Sequence, residues 1–152
     1  MKRKVQKVYE DHGFGFRVTL LNVPMIEVRG EWVPDVNQKR LQTSVLDALC
    51  VKPARLTGHE VRFIRHCFEM TLEEFGRRFY VTHPAVKKWE GKGSHPTGMM
   101  WATEKDIRLY ILSKHSAHKN NFKAFVEAYL NLEHEQSGEK HPLKVDVEKL
   151  SA

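Results

Sequence analysis

The chain carries only two cysteines in 152 residues, Cys50 and Cys67, too few for a disulfide framework or a four-cysteine zinc site. A reducing compartment suits that scarcity. No apolar run approaches the roughly 20 residues that a bilayer-crossing helix needs. The basic start Met1-Lys2-Arg3-Lys4 is not followed by the apolar stretch of a secretory signal. Internal repeats and low-complexity tracts are missing too. These absences set the expectation of a soluble, cytoplasmic protein with no membrane partner. A chain of this length can bury a core without staples, and its 41% apolar and 29% charged residues are those of a globular domain. Cations outnumber acids, 25 to 19, for a formal charge of +6. A basic excess favours a polyanionic partner such as nucleic acid.

From about Val5 to Val33 the pattern is that of strands. Phe14, Phe16, Val18 and Leu20 alternate with Gly15, Arg17 and Thr19; Asn22-Val23-Pro24 interrupts the run and Met25-Ile26-Glu27-Val28 resumes it. Arg29-Gly30 reads as a turn before Glu31-Trp32-Val33, giving a small hairpin or meander. Pro24 and Pro34 are expected at strand ends or edges, since neither can donate to a ladder. After Asp35 the period turns helical. Asp35 and Gln38 form a plausible cap pair, Leu41, Val45, Leu46 and Leu49 the apolar stripe, and Lys52-Pro53 the stop.

Thr57-Gly58-His59-Glu60 and Thr71-Leu72-Glu73-Glu74 are two capping boxes one helix apart. Thr82 caps a further helix with Pro84 in its first turn, Val86 and Trp89 inward, and Gly91 and Gly93 at its end. Two more helices are expected, one over roughly Thr103 to His115 and one from Asn120 or Asn121. The latter shows Phe122, Phe125, Val126, Tyr129 and Leu130 on one face. The tail from Gln136 reads as mobile, although Leu143, Val145 and Val147 alternate with charges and could add a strand to a sheet edge. The expected fold class is α+β: a small N-terminal β-ribbon or meander (1–34) and a connecting helix (35–54), then an all-α, five-helix, lambda-repressor-like domain. That helix-turn-helix domain covers 55–135, and a flexible tail (136–152) follows.

Two short helices joined by a tight turn, Thr71–Phe79 and Thr82–Gly91, have helix-turn-helix spacing. In such a pair the first helix crosses the duplex backbone and the second presents its N-terminal turn to the major groove. With Val86 and Trp89 inward, Thr82, His83, Lys87 and Lys88 face outward and supply donors and cations for base edges. From Arg77 to Gly93 the chain sets Arg77, Arg78, Lys87, Lys88 and Lys92 against one acid, Glu90, a local charge of +4. Arg77, Arg78 and Lys92 are the candidate backbone anchors. Lysine acts as a point charge, so Lys87 and Lys88 suit phosphates as well as bases, and a solvated lysine face is the bland alternative.

Other chemistry finds little footing. The nine histidines read as surface or capping groups, and Cys67, beside Phe68 in a helix, as a small buried hydrophobe. Gly13-Phe14-Gly15 lacks the Lys-Ser/Thr of a phosphate loop. No nucleophile–base pair or ligand set can be placed together, so no catalytic residue, metal or cofactor is expected, and the chain is not read as an enzyme.

Leu56 to Lys92, LTGHEVRFIRHCFEMTLEEFGRRFYVTHPAVKKWEGK, resembles the Cro/cI-type (XRE) helix-turn-helix through Thr71, Glu74, Phe75, Val81, Thr82, Val86, Trp89 and Glu90. More narrowly, Lys52 to His66 (KPARLTGHEVRFIRH), preceded by a helix and a β-ribbon, is similar to the MqsA-type antitoxin and regulator family. That family joins an N-terminal zinc-binding ribbon to a C-terminal helix-turn-helix. The resemblance spans roughly Val18 to Leu112. It implies a homodimeric, sequence-specific regulator on a palindromic operator, a repressor of its own operon. It also implies the antitoxin of a toxin–antitoxin pair, with the toxin meeting the ribbon.

The chain departs from that pattern at defined places. Ile26 and Arg29 stand where the family has its two knuckle cysteines, so no zinc is expected. Tyr80 replaces the turn glycine, which implies a rearranged or strained turn. Leu72 and Pro84 replace polar contact residues, and Lys88 holds the place of a base-reading arginine, which implies a different operator. The alternative from another class is a protein–protein adaptor whose ribbon binds a toxin or other partner and whose helix-turn-helix is vestigial.

Overall fold

The computed structural model describes residues 2–114 and 143–150, with positions 123, 126, 127 and 130 in isolation between them. Arg29 and Gly30 both hold positive φ, +52° and +85°, the pair that a two-residue hairpin turn of type I′ requires. They join β2 (Val18–Val28) to the antiparallel β3 (Glu31–Pro34). On the opposite edge of β2 lies β1 (Arg3–Asp11), also antiparallel and paired along nearly the whole strand. Phe14 and Phe16, expected in a strand, fall instead in the β1–β2 connection, where Gly15 has a φ of +93°. Val18 and Leu20 are buried, then Val23 and Met25. The odd step falls on Asn22, whose φ of +54° rolls the strand over by one face, a conformation asparagine tolerates.

The expected fold class, a small N-terminal β-ribbon or meander followed by an all-α helix-turn-helix domain, does not hold in its first part. Leu143–Asp146 forms β4 and pairs in parallel with Val18–Leu21 of β2, so the sheet is four-stranded and mixed. The flexible tail expected over 136–152 thus does not hold for Leu143–Asp146, which adds the strand that its alternation allows, followed by a 3-10 turn at Val147–Leu150. β3 and β4 share one edge of β2 end to end, and Pro24 sits in the gap between them. There its carbonyl accepts the Asp35 N–H at 2.7 Å, and its missing donor breaks no ladder. It therefore lies inside the central strand, not at a strand end or sheet edge.

The physical cause of the merger is burial. The inner face of β2 is apolar, and α1 (Gln38–Cys50) covers the sheet by packing on β4 and the turn after it. On its other sides α1 meets the helices α2 (Gly58–Cys67) and α5 (Trp101–Lys114). One buried cluster runs from Val18, Leu20 and Met25 through Leu41, Val45 and Leu49 to Ile64, Phe75, Val86 and Ile107. Sheet and helices share a single core.

Local signals fix the helix starts. α2 and α3 (Leu72–Arg78) open on the two capping boxes, with Thr57 and Glu60, and Thr71 and Glu74, bonded reciprocally. α4 (His83–Glu90) is capped by Thr82, with Pro84 in its first turn. The cap of α1 is Asn37, whose side chain accepts the Arg40 N–H at 3.0 Å, and not Asp35, which is paired with Arg3 at 2.6 Å. The helix expected from Asn120 or Asn121, with its aromatic face, lies for the most part outside the described residues. Among the described residues no helix is long and apolar enough to cross a membrane.

Between α1 and α2 the chain passes through the interior, and side chains satisfy its polar groups. Arg108 of α5 donates to the carbonyls of Lys52 (2.7 Å) and Ala54 (2.6 Å) and pairs with Glu104 at 2.9 Å. The other oxygen of Glu104 accepts from Arg55 Nε (3.0 Å) and the Leu56 N–H (3.1 Å). Lys52 pairs with Glu60 at 2.8 Å. The charged groups of Lys52, Arg55 and Glu60 are therefore turned inward, whereas His59 is exposed.

Gly58 sets how closely α2 approaches the end of α4. A Cβ at this position would stand 2.5 Å from the Trp89 carbonyl oxygen and 2.7 Å from the Gly93 nitrogen. Both neighbours are backbone and cannot rotate away. Gly58→Ala is expected to lower stability by about 2–3 kcal/mol, read from the urea midpoint. An unchanged midpoint would show that the two helices can separate freely.

Candidate nucleic-acid interface

The helix pair α3 and α4 is built from the inside outward. Phe75 and Gly76 of α3, Phe79 at its C-cap, and Val86 and Trp89 of α4 are buried. The rings of Phe75 and Phe79 lie 4.7 Å apart, and Tyr110 of α5 closes on Phe79 edge-on at 5.7 Å. The Val81 N–H donates to the Gly76 carbonyl at 2.9 Å and ties the turn shut.

That turn keeps left-handed geometry at its tyrosine. Tyr80 has a φ of +61° and is 89% exposed, so it holds a strained conformation with almost no packing in return. Tyr80→Gly is expected to raise stability by about 0.5–1 kcal/mol, the relieved strain less the extra freedom of glycine when unfolded. Chemical denaturation measures the gain. A loss would mean that the tyrosine ring has a partner.

All seven candidate contact residues are exposed, Arg78 on α3 among them. Thr82, His83, Lys87 and Lys88 are exposed on α4 or its cap, Arg77 on α3, and Lys92 in the loop beyond. His83 and Lys87 stand one turn apart on one side of α4, while Lys88 is turned about 100° from Lys87. The Thr82 hydroxyl accepts the Ala85 N–H at 3.3 Å, which leaves its own proton free to donate outward. Arg77 pairs with Glu73 at 3.2 Å, but both side chains are largely exposed, so the pair is weak and a phosphate could replace the carboxylate. Among the described residues no carboxylate pairs with Lys87, Lys88 or Lys92.

Arg78 is placed differently. Its guanidinium lies over Tyr110 at 4.6 Å and near Asp106 at 3.6 Å, so it braces α3 against α5. Glu90 has a role that sequence spacing did not indicate. It takes two bonds from Arg65 of α2, at 2.7 and 3.0 Å, and Arg65 also donates to the Met70 carbonyl. The one acid of the basic segment is therefore turned inward and neutralised, and the end of α4 is pinned to α2.

Titration follows from these contacts. The Thr71 N–H, donating to Glu74 at 3.1 Å, holds that carboxyl below the usual range. The stability it gives α3 is complete above the ordinary glutamate pKa and is lost as pH falls through the lowered one. A carboxyl-carbon NMR titration should find Glu74 protonating later than exposed glutamates; simultaneous protonation would show an open cap. Burial pushes the Cys50 thiol up to about 11 and raises Cys67 as well, so neither is a ready nucleophile. No group of three His, Cys, Asp or Glu that could hold a metal occurs among the described residues.

Compared with protein-family models, curated proteins and solved structures, the chain matches none of them.

Proposed function

We propose that the chain is a sequence-specific DNA-binding regulator of transcription. It acts in the cytoplasm as a homodimer and represses by laying α4 in the major groove of a palindromic operator. One observation carries this reading. His83, Lys87 and Lys88 stand exposed together on α4 while Val86 and Trp89 are buried and Glu90 is held by Arg65. A helix so arranged offers donors and cations outward and has no acid to repel phosphate.

Fluorescence anisotropy with a duplex from its own promoter tests the reading. Each phosphate neutralised should contribute a slope of about −0.9 in log affinity against log salt. A flat salt response, or equal affinity for unrelated duplexes, would overturn it. The likeness to MqsA-type regulators in Lys52 to His66 supports a further layer, an antitoxin whose neighbouring gene is toxic when expressed alone. A second reading, an adaptor that binds a protein through its sheet, is favoured by the exposed Val5, Val8, Val28 and Val33. A stoichiometric protein partner without any operator footprint would decide for it.

A further inference from the structure

Away from the helix-turn-helix, a groove of about 570 Å³ opens between α2, the first turns of α1 and the β1–β2 connection. α2 lines it with His59, Arg62, Phe63 and His66, whose spacing of three and four residues puts them on one stripe. Phe63 is the apolar wall. The rings of Phe14 and Phe16 meet it edge-on at 5.7 and 5.5 Å, so it is held rigid without being capped by charge. Gln38 and Gln42 of α1 add carboxamides, and Gly13 and Gly15 leave part of the rim without side chains.

No carboxylate lines this groove. Of the acids next to the lining, Glu60 is buried and holds Lys52, while Asp11 stands at the rim, where it accepts the Gly13 N–H at 2.7 Å. Arg62 is exposed and pairs with no carboxylate among the described residues. A guanidinium fork flanked by two imidazoles suits an oxyanion, and the phenylalanine wall suits a flat ring. The volume falls within the range of small-molecule sites.

We propose that this groove binds a small aromatic anion, with its ring against Phe63 and Phe14 and its phosphate or carboxylate on Arg62 between His59 and His66. A bare anion would leave the wall wet, and a neutral ring would leave the guanidinium unmatched. Nucleotides and aromatic carboxylates share the required chemistry. The site also touches the loop after α4, because the His59 N–H donates to the Gly93 carbonyl at 2.9 Å. The proposal stands independently of DNA binding.

Isothermal titration of the full chain with adenosine monophosphate, indole-3-acetate, adenosine and inorganic phosphate tests it. One or both ring anions should saturate a single site, and which one binds identifies the source. Adenosine and phosphate, each offering half the chemistry, should bind about tenfold more weakly or worse. Arg62→Ala should cost about tenfold in affinity at unchanged melting temperature, while Lys87→Ala leaves binding intact. The proposal is overturned if neither ring anion saturates the protein at millimolar concentration. It is equally overturned if adenosine or phosphate binds as tightly as the ring anions, or if Arg62→Ala binds as well as the native chain.

Discussion

Glu104→Gln is expected to lower stability by about 3–5 kcal/mol, the loss typical of removing one charge from a buried ion pair. Glu104 is fully buried and serves two guanidiniums at once, Arg55 through one oxygen and Arg108 through the other. It also accepts the Leu56 N–H. Glutamine keeps the shape but offers a single acceptor oxygen, and its amide would point at donors. Two cations would then stay in the interior without a counter-charge. Urea denaturation followed by circular dichroism measures the effect. A loss below about 1 kcal/mol, the net worth of one ordinary hydrogen bond, would show that backbone carbonyls alone can hold both arginines.

Lys87→Ala combined with Lys88→Ala is expected to reduce operator affinity by about a hundredfold or more, since each contact to DNA contributes about 1–3 kcal/mol. Stability should stay within about 0.5 kcal/mol of the native chain, because both side chains are exposed. The single variants then divide the roles. A base reader relaxes specificity at one operator position, whereas a phosphate contact weakens all duplexes alike and lowers the salt slope by about one. Arg78 lies over Tyr110 yet stays partly exposed, so Arg78→Ala tells a brace from a phosphate anchor by whether stability falls along with affinity. Full retention of affinity in the double lysine variant would remove α4 from the groove.

What sequence made legible was short-range. Thr57 and Glu60, Thr71 and Glu74, and Thr82 with Pro84 each declare a helix start within four residues, because a cap is satisfied by the chain beside it. The inward pair Val86 and Trp89, and thus the outward lysines, follow from the helical period alone. Cap choice still went astray at α1, where Asn37 and Asp35 were both able and the long-range pair with Arg3 took the aspartate.

Long-range partners stayed hidden. The bond from Asn22 to Asp146 joins positions 124 apart, and a four-residue strand among charges gives little sign of its mate. Arg65 and Glu90 are 25 apart and Arg55 and Glu104 are 49 apart, so no local spacing marks either pair. The ring beneath Arg78 is likewise unmarked by spacing, since Tyr110 belongs to a different helix. The groove beside α2 is invisible for the same reason, being assembled from three separate stretches of chain.

The parallel pairing of β4 with β2 also sets an order of events during synthesis. The helices α2, α3 and α4 rest largely on one another and can gather while the nascent chain is still short. Residues 18–21 must wait for 143–146 to leave the ribosome, and until then the hairpin shows a bare flank to other chains. Interrupting translation before Leu143 would therefore leave formed helices attached to an adhesive, half-finished sheet.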